Sequence, residues 1–218
     1  KANIKEAVTF YKKEASIKVA QNFVKDYEQT LQKIIQNPFY QIYEGAAIAS
    51  RAKVIHLDLT CKNNFKPDIH LVELKTADLI ILNFPNNPTT STLSLEELGE
   101  WVKFALKYDI VLLNDECYSE IYVDKKPPSL LEASLHVKNF TFKNILVINS
   151  ISKRSSAPGL RSGFIAGDAK ILGSYLKYRT YIGAAIPLPS KYALIAEVNP
   201  FASKLCSLTV IVAVRDAL

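Results

Sequence analysis

The chain has 218 residues, 49% of them hydrophobic, and a formal net charge of +6. That is enough apolar material for the core of one large domain, and no apolar run reaches the roughly 18 to 20 residues that span a bilayer. The basic excess does not form a nucleic-acid stripe, because lysines stand among acids, as in Lys12-Lys13-Glu14 and in Lys125-Lys126 beside Asp124.

The start, Lys1-Ala2-Asn3-Ile4-Lys5-Glu6, carries no apolar signal region, so a cytoplasmic protein is expected. Cys61, Cys117 and Cys206 lack metal spacing and His56, His70 and His136 are scattered, which predicts reduced thiols and no zinc centre.

In chain order, residues 4 to 36 read as helical, with Ala7, Phe10 and Tyr11 on one face and Val24, Tyr27, Leu31, Ile34 and Ile35 on another. Pro38 ends that region. Ile42 to Ser50 reads as a short helix and Val54 to Leu59 as a strand. The apolar run from Asp78 to Phe84 reads as a buried strand that breaks at Pro85-Asn86-Asn87-Pro88-Thr89. Ser94-Leu95-Glu96-Glu97 is a capping box, opening a helix whose Leu98, Trp101, Val102 and Ala105 form one apolar face.

A second strand, Asp109 to Asn114, runs into Asp115-Glu116-Cys117-Tyr118. After a loop at Pro127-Pro128-Ser129, a short helix is predicted at Leu130 to Leu135 and a third strand at Asn144 to Asn149. Phe164 to Gly167 reads as a strand and Lys170 to Arg179 as a helix. Ligands of open α/β sheets bind beyond the carboxyl ends of parallel strands, and three such ends here carry polar constellations.

The third constellation is the most informative. Ser150-Ile151-Ser152-Lys153-Arg154 is followed, eight residues after the lysine, by Arg161 in Pro158-Gly159-Leu160-Arg161-Ser162-Gly163. A lysine amine attacks a carbonyl only when deprotonated, and proteins favour that form by desolvation and nearby cations, here Arg154 and Arg161. Hydroxyls and a second cation around it suit a phosphate. Pyridoxal 5'-phosphate needs both an amine partner for its aldehyde and a cradle for its phosphate.

Taken together, Asn87-Pro88-Thr89, Asp115 with Tyr118 three later, and Ser150-x-x-Lys153 with Arg161 resemble, in order and spacing, the class I/II pyridoxal-phosphate aminotransferases of fold type I. The likeness covers roughly residues 38 to 185. Within the family, the stretches from Asn83 to Tyr122 and from Ile148 to Asp168 look most like the succinyldiaminopimelate aminotransferases of bacterial lysine and cell-wall precursor synthesis.

The resemblance implies an α/β fold: a three-layer large domain with a mostly parallel central sheet flanked by helices. It implies a large domain at 1–185, incomplete on its N-terminal side, and a remnant at 186–218 leading toward a small domain. Lys153 would link to the cofactor aldehyde and then move the proton between substrate and cofactor. Asp115 would pair with the pyridine nitrogen. Asn87 and Tyr118 would bond the phenolic oxygen, Ser150, Ser152 and Arg161 would hold the phosphate, and Tyr40 would stack on the ring. The partners implied are an amino acid and a 2-oxo acid, with a homodimer for the intact protein.

Taken singly, these residues also fit ordinary structural jobs. Asp115 suits a helix N-cap, Asn87 a turn, Tyr118 and Tyr40 a core, and Arg161 the surface.

Three departures stand beside the matches. A Gly-Ser/Thr phosphate loop is not found: residues 19 to 36 contain no glycine and read as continuous helix. Thr90 stands where the family has glycine. Past Arg179 the only arginine is Arg215, after the β-prone run from Ser207 to Val214, and it suits no carboxylate-gripping role. The sequence therefore predicts an aminotransferase large domain that is truncated, shortened or degenerate. A catalytically silent relative and a β-eliminating lyase are the alternatives.

Overall fold

The computed structural model describes residues 31–182, 186–202 and 212–214. Contacts divide the chain into residues 1–31 and 32–218, and the fold belongs to the second unit. The helix expected over residues 4 to 30 lies outside the described residues.

Over residues 32–36 the structure corrects the helix expectation: Gln32–Asn37 is a strand, β1. Leu31, Ile34 and Ile35 sit at helical spacing, but Ile34 and Ile35 are both fully buried on opposite faces of a sheet. A β-branched pair flanked by polar residues suits a central strand, and tertiary pairing overrode the local period.

The remaining elements follow in order: α1 (Ile42–Ala49), β2 (Lys53–Asp58), β3 (Leu79–Asn83), α2 (Leu95–Tyr108), β4 (Val111–Asp115), α3 (Leu130–His136), β5 (Ile145–Ser150), α4 (Ile151–Arg154), β6 (Gly163–Gly167), α5 (Ala169–Ile182), α6 (Leu188–Ala202) and β7 (Val212–Val214). The sheet order is β2-β1-β3-β4-β5-β6-β7. Strands β1 to β5 are mutually parallel, β6 is antiparallel to β5, and β7 is antiparallel to β6. This is the mostly parallel, helix-flanked α/β sheet that the sequence predicts.

The layers follow from strand alternation. Ile34, Ile80, Leu82, Leu112, Ile145 and Val147 face α2 and α3 in the largest core cluster, with Leu98, Trp101 and Val102 of α2. On the opposite face, Ile35 and Ile81 pack with Tyr43 and Ala47 of α1, and Leu146 and Ile165 with Leu172 of α5. The α2 capping box forms as the sequence predicts: Ser94 accepts from the Glu97 amide at 3.2 Å, and Glu97 accepts from the Ser94 amide at 2.7 Å.

The sheet also delivers the lysine loop. A Cβ at Gly163 would stand 2.6 Å from the Asn149 carbonyl, so only glycine lets β6 approach β5 this closely. That approach brings the Ser162 carbonyl within 3.2 Å of the Ile151 amide, where α4 begins.

Thr90 carries the consequence of its departure from glycine. Its φ is 60°, in the left-handed region, while its amide bonds the Asn86 carbonyl at 2.8 Å. A β-branched residue there is strained by about 1–2 kcal/mol, partly offset because glycine has the freer unfolded chain. Thr90→Gly is therefore expected to stabilise the chain by about 0.5–1 kcal/mol, read as a rise in urea midpoint. A lowered midpoint would contradict this.

Candidate functional site

The carboxyl ends of the parallel strands form one edge. β3 ends at Asn83 and leads to Asn87, β4 ends on Asp115 and leads to Tyr118, and β5 ends on Ser150 and leads to Lys153. Asn83 is in register with Asp115, and Asp115 with Ile148, so the three exits lie side by side. β1 ends at Asn37, just before Tyr40. Because β2 lies on one side of β1 and β3 on the other, the chain reverses its winding between β1 and β3, where such sheets open a crevice.

Asp115 is 8% exposed, and both of its carboxylate oxygens are held. Oδ2 accepts from Tyr43 Oη at 2.6 Å and Oδ1 from the Cys117 amide at 3.0 Å. No helix starts after it, since residues 117–120 are turns, and the N-cap alternative is thereby removed. The Asn83 amide group ties the same strand end to the next constellation. Its Nδ2 donates to the Asp115 carbonyl at 3.0 Å, and its Oδ1 accepts from the Asn87 amide at 2.9 Å.

Asn87, Tyr118 and Lys153 come together above that network. Asn87 Nδ2 stands 3.5 Å from Tyr118 Oη, and Lys153 Nζ lies 5.8 Å from the centre of the Tyr118 ring. Lys153 is exposed on the four-residue α4. Arg154, expected from the sequence as a cation beside Lys153, pairs with Glu120, its Nη2 standing 3.8 Å from Oε1. Tyr40 is 41% exposed and packs edge-on against Tyr43, with ring centres 6.0 Å apart.

The hydroxyls gather at the start of α4. Ser150 Oγ accepts from the Ser152 amide at 3.1 Å and lies 2.9 Å from Ser152 Oγ and 3.3 Å from the Ser162 carbonyl. Ser162 is fully buried, and its own Oγ has no partner among the described residues. Such an orphaned hydroxyl costs free energy unless something else satisfies it. Arg161 reaches this end of the sheet two residues before Gly163, the register partner of Ser150, with Nη1 donating to the Pro158 carbonyl at 3.0 Å.

A cleft of about 500 Å³ opens beside these residues. Asn87 and Tyr118 line it, with Pro85, Thr90, Ile121 and Lys125 among the other walls. Lys153, Asp115 and Arg161 do not line it. The structure therefore brings Asn87, Asp115, Tyr118, Ser150 and Lys153 to one edge by strand-end placement, and they do not share one cavity wall.

Two contributors escape sequence reasoning: Tyr43 and Asn83. Asn83 carried a faint signal as a polar residue closing an apolar strand. Tyr43 carried none, since an aromatic three residues after Tyr40 on a short helix reads as core.

Directly behind the site, Glu116 is buried beneath α3. Its Oε1 accepts from the Leu130 amide at 2.8 Å and from Asn114 Nδ2 at 3.1 Å. Desolvation pushes its pKa from 4.5 up to about 7, against the hydrogen bonds from Leu130, Ser129 and Asn114. The folded state then holds a proton that the unfolded chain releases above pH 4.5, so stability falls as pH rises from about 4.5 to 7 and levels off beyond. Glu116→Gln is expected to flatten that slope and add on the order of 3 kcal/mol above pH 7. An unchanged pH slope in chemical denaturation would show that Glu116 is not its source.

Residues 6–214 match the family described as aminotransferase class I and II. The chain belongs to this family. Class I and II aminotransferases depend on pyridoxal phosphate.

Among solved structures, the aminotransferase AspB of Helicobacter pylori is 57% identical, with a TM-score of 0.71 over 75% of this chain and 44% of its own. The 4-dedimethylamino-4-oxo-anhydrotetracycline transaminase OxyQ of Streptomyces rimosus is 39% identical over 56% of this chain and 33% of its own length. The LL-diaminopimelate aminotransferase of Dehalococcoides mccartyi is 29% identical over 76% of this chain and 42% of its own. The chain thus spans less than half the length of each.

The residues present fit the family's cofactor in donor chemistry. A buried carboxylate held by neutral donors suits a protonated ring nitrogen, and clustered serine hydroxyls with one unsatisfied member suit a phosphate.

Proposed function

We propose that this chain carries the cofactor-binding half of an aminotransferase that moves an amino group from an amino acid donor, glutamate in the simplest case, to a 2-oxo acid or similar acceptor. The observation that carries the proposal is the exit of Asn87, Asp115 with Tyr118, and Ser150 with Lys153 from the carboxyl ends of three adjacent parallel strands. Pyridoxal phosphate, when bound, supplies the aldehyde that exchanges amines and the ring that accepts electron density from the substrate α-carbon.

In this reading Lys153 holds the cofactor through its Nζ and, once free, moves the proton at that atom. Asp115 keeps a proton at the ring nitrogen by remaining charged beside it. Asn87 and Tyr118 donate to the phenolic oxygen, and their 3.5 Å approach to each other supports a shared acceptor. Ser150, Ser152 and Arg161 bind the phosphate, with Tyr40 against the ring face. A boundary near residues 185 and 186, a homodimer of the complete protein and a cytoplasmic setting belong to the same reading.

The diaminopimelate branch of lysine synthesis is the pathway proposed, supported by the likeness to an LL-diaminopimelate aminotransferase. Incubation of the chain with pyridoxal phosphate, ¹⁵N-glutamate and a panel of 2-oxo acids tests the activity. Label appearing in a new amino acid is the expected result. Release of the label as ammonia would point instead to an eliminating lyase, and no turnover to a silent relative.

A further inference from the structure

The buried bond between Tyr43 and Asp115 is the part of the network to which none of the roles above assigns a function. Tyr43 is 7% exposed and packs with Ile35, Ala47 and Ile81. A phenol in such company needs a partner, and its partner is a carboxylate oxygen at 2.6 Å. Burial first, and the Asp115 charge second, push the phenol's pKa far upward, so it remains an O–H donor.

We infer that Tyr43 is a positioning residue: through its hydroxyl it fixes the Asp115 carboxylate, with its charge intact, for a cationic ring nitrogen. The inference rests on the reading that Asp115 meets the nitrogen of pyridoxal phosphate. An ionised carboxylate offers about four acceptor sites. Tyr43 occupies one on Oδ2 and the Cys117 amide one on Oδ1, which sets the plane of the group and leaves a free site on each oxygen. Both donors are neutral, so they orient the negative charge without cancelling it. Tyr43 also backs Tyr40, the ring-stacking candidate, edge-on at 6.0 Å, so one phenol braces both.

The test compares two ligands: pyridoxal phosphate and its analogue in which the ring nitrogen is replaced by C–H. Tyr43→Phe removes one oxygen and keeps the packing. The variant is expected to bind pyridoxal phosphate about ten- to a hundredfold more weakly than the parent, as for one charge-assisted hydrogen bond, while binding the analogue equally well. In an Asp115→Asn background the same substitution should change neither affinity.

If Tyr43→Phe melts early, both titrations are run below its melting temperature; Asp115→Asn by itself should show the same selectivity, which ties the preference for pyridoxal phosphate to the carboxylate. Equal losses for both ligands, or no loss for pyridoxal phosphate, would overturn the inference while the cofactor reading stands. A parent chain that binds neither ligand would overturn the cofactor reading, and the inference with it.

Discussion

Replacing Lys153 with alanine is expected to abolish the visible absorbance of a lysine-linked cofactor while leaving the fold unchanged. The side chain is exposed on the four-residue α4, with its Nζ over the Tyr118 ring at 5.8 Å. Surface truncations of that kind change stability by within about 0.5 kcal/mol. Amino transfer, by contrast, would lose both the covalent attachment and the proton carrier, and a positioned proton carrier is worth about 10²–10⁴-fold. A variant with the parent's melting curve and no absorbance band is the predicted result. A retained band would move the attachment to another lysine.

The second large effect is expected at Asp115. Asp115→Ala leaves Lys153 free to attach the cofactor but removes the charge that keeps the ring nitrogen protonated. Turnover should fall by about 10²–10³-fold, the range for losing one preorganised electrostatic contact. The variant also strands the Tyr43 hydroxyl in an apolar cluster, and an unsatisfied buried donor costs about 1–3 kcal/mol of stability. Asp115→Asn separates the two consequences, because an amide keeps an acceptor for Tyr43 while giving up the charge. Near-normal turnover in either variant would remove Asp115 from the chemistry.

Much of the scaffold was legible because short apolar runs met clear punctuation. Leu79–Asn83 is bounded by Asp78 and the Pro85 turn, and Leu95–Tyr108 opens on a capping box with its apolar face at helical spacing. The strand-end positions of Asn87, Asp115 and Lys153 followed from those runs. Gln32–Asn37 is not legible as a strand, because Leu31, Ile34 and Ile35 satisfy a helical period and only pairing to β2 and β3 decides the matter. Helix α6 carries no clear helical signal in the sequence, with prolines at 189 and 200 inside Leu188–Ala202.

At the site, function-bearing types such as a lysine among serines announce themselves, whereas bracing residues do not. Tyr43 lies 72 positions from Asp115 in the chain, and no local pattern links them. Arg154 illustrates the opposite error. Adjacency in sequence suggested a cation beside Lys153, but consecutive helical residues point in different directions, and Arg154 turns to Glu120.

The central claim is that Lys153 is the residue that binds the cofactor covalently. Borohydride reduction of the chain in the presence of pyridoxal phosphate, followed by proteolysis and peptide mass mapping, tests it most directly. The account predicts a single pyridoxyl-phosphate adduct on the peptide containing Ser150 to Arg154, located at Lys153. An adduct confined to other lysines, or spread evenly over them, would contradict it.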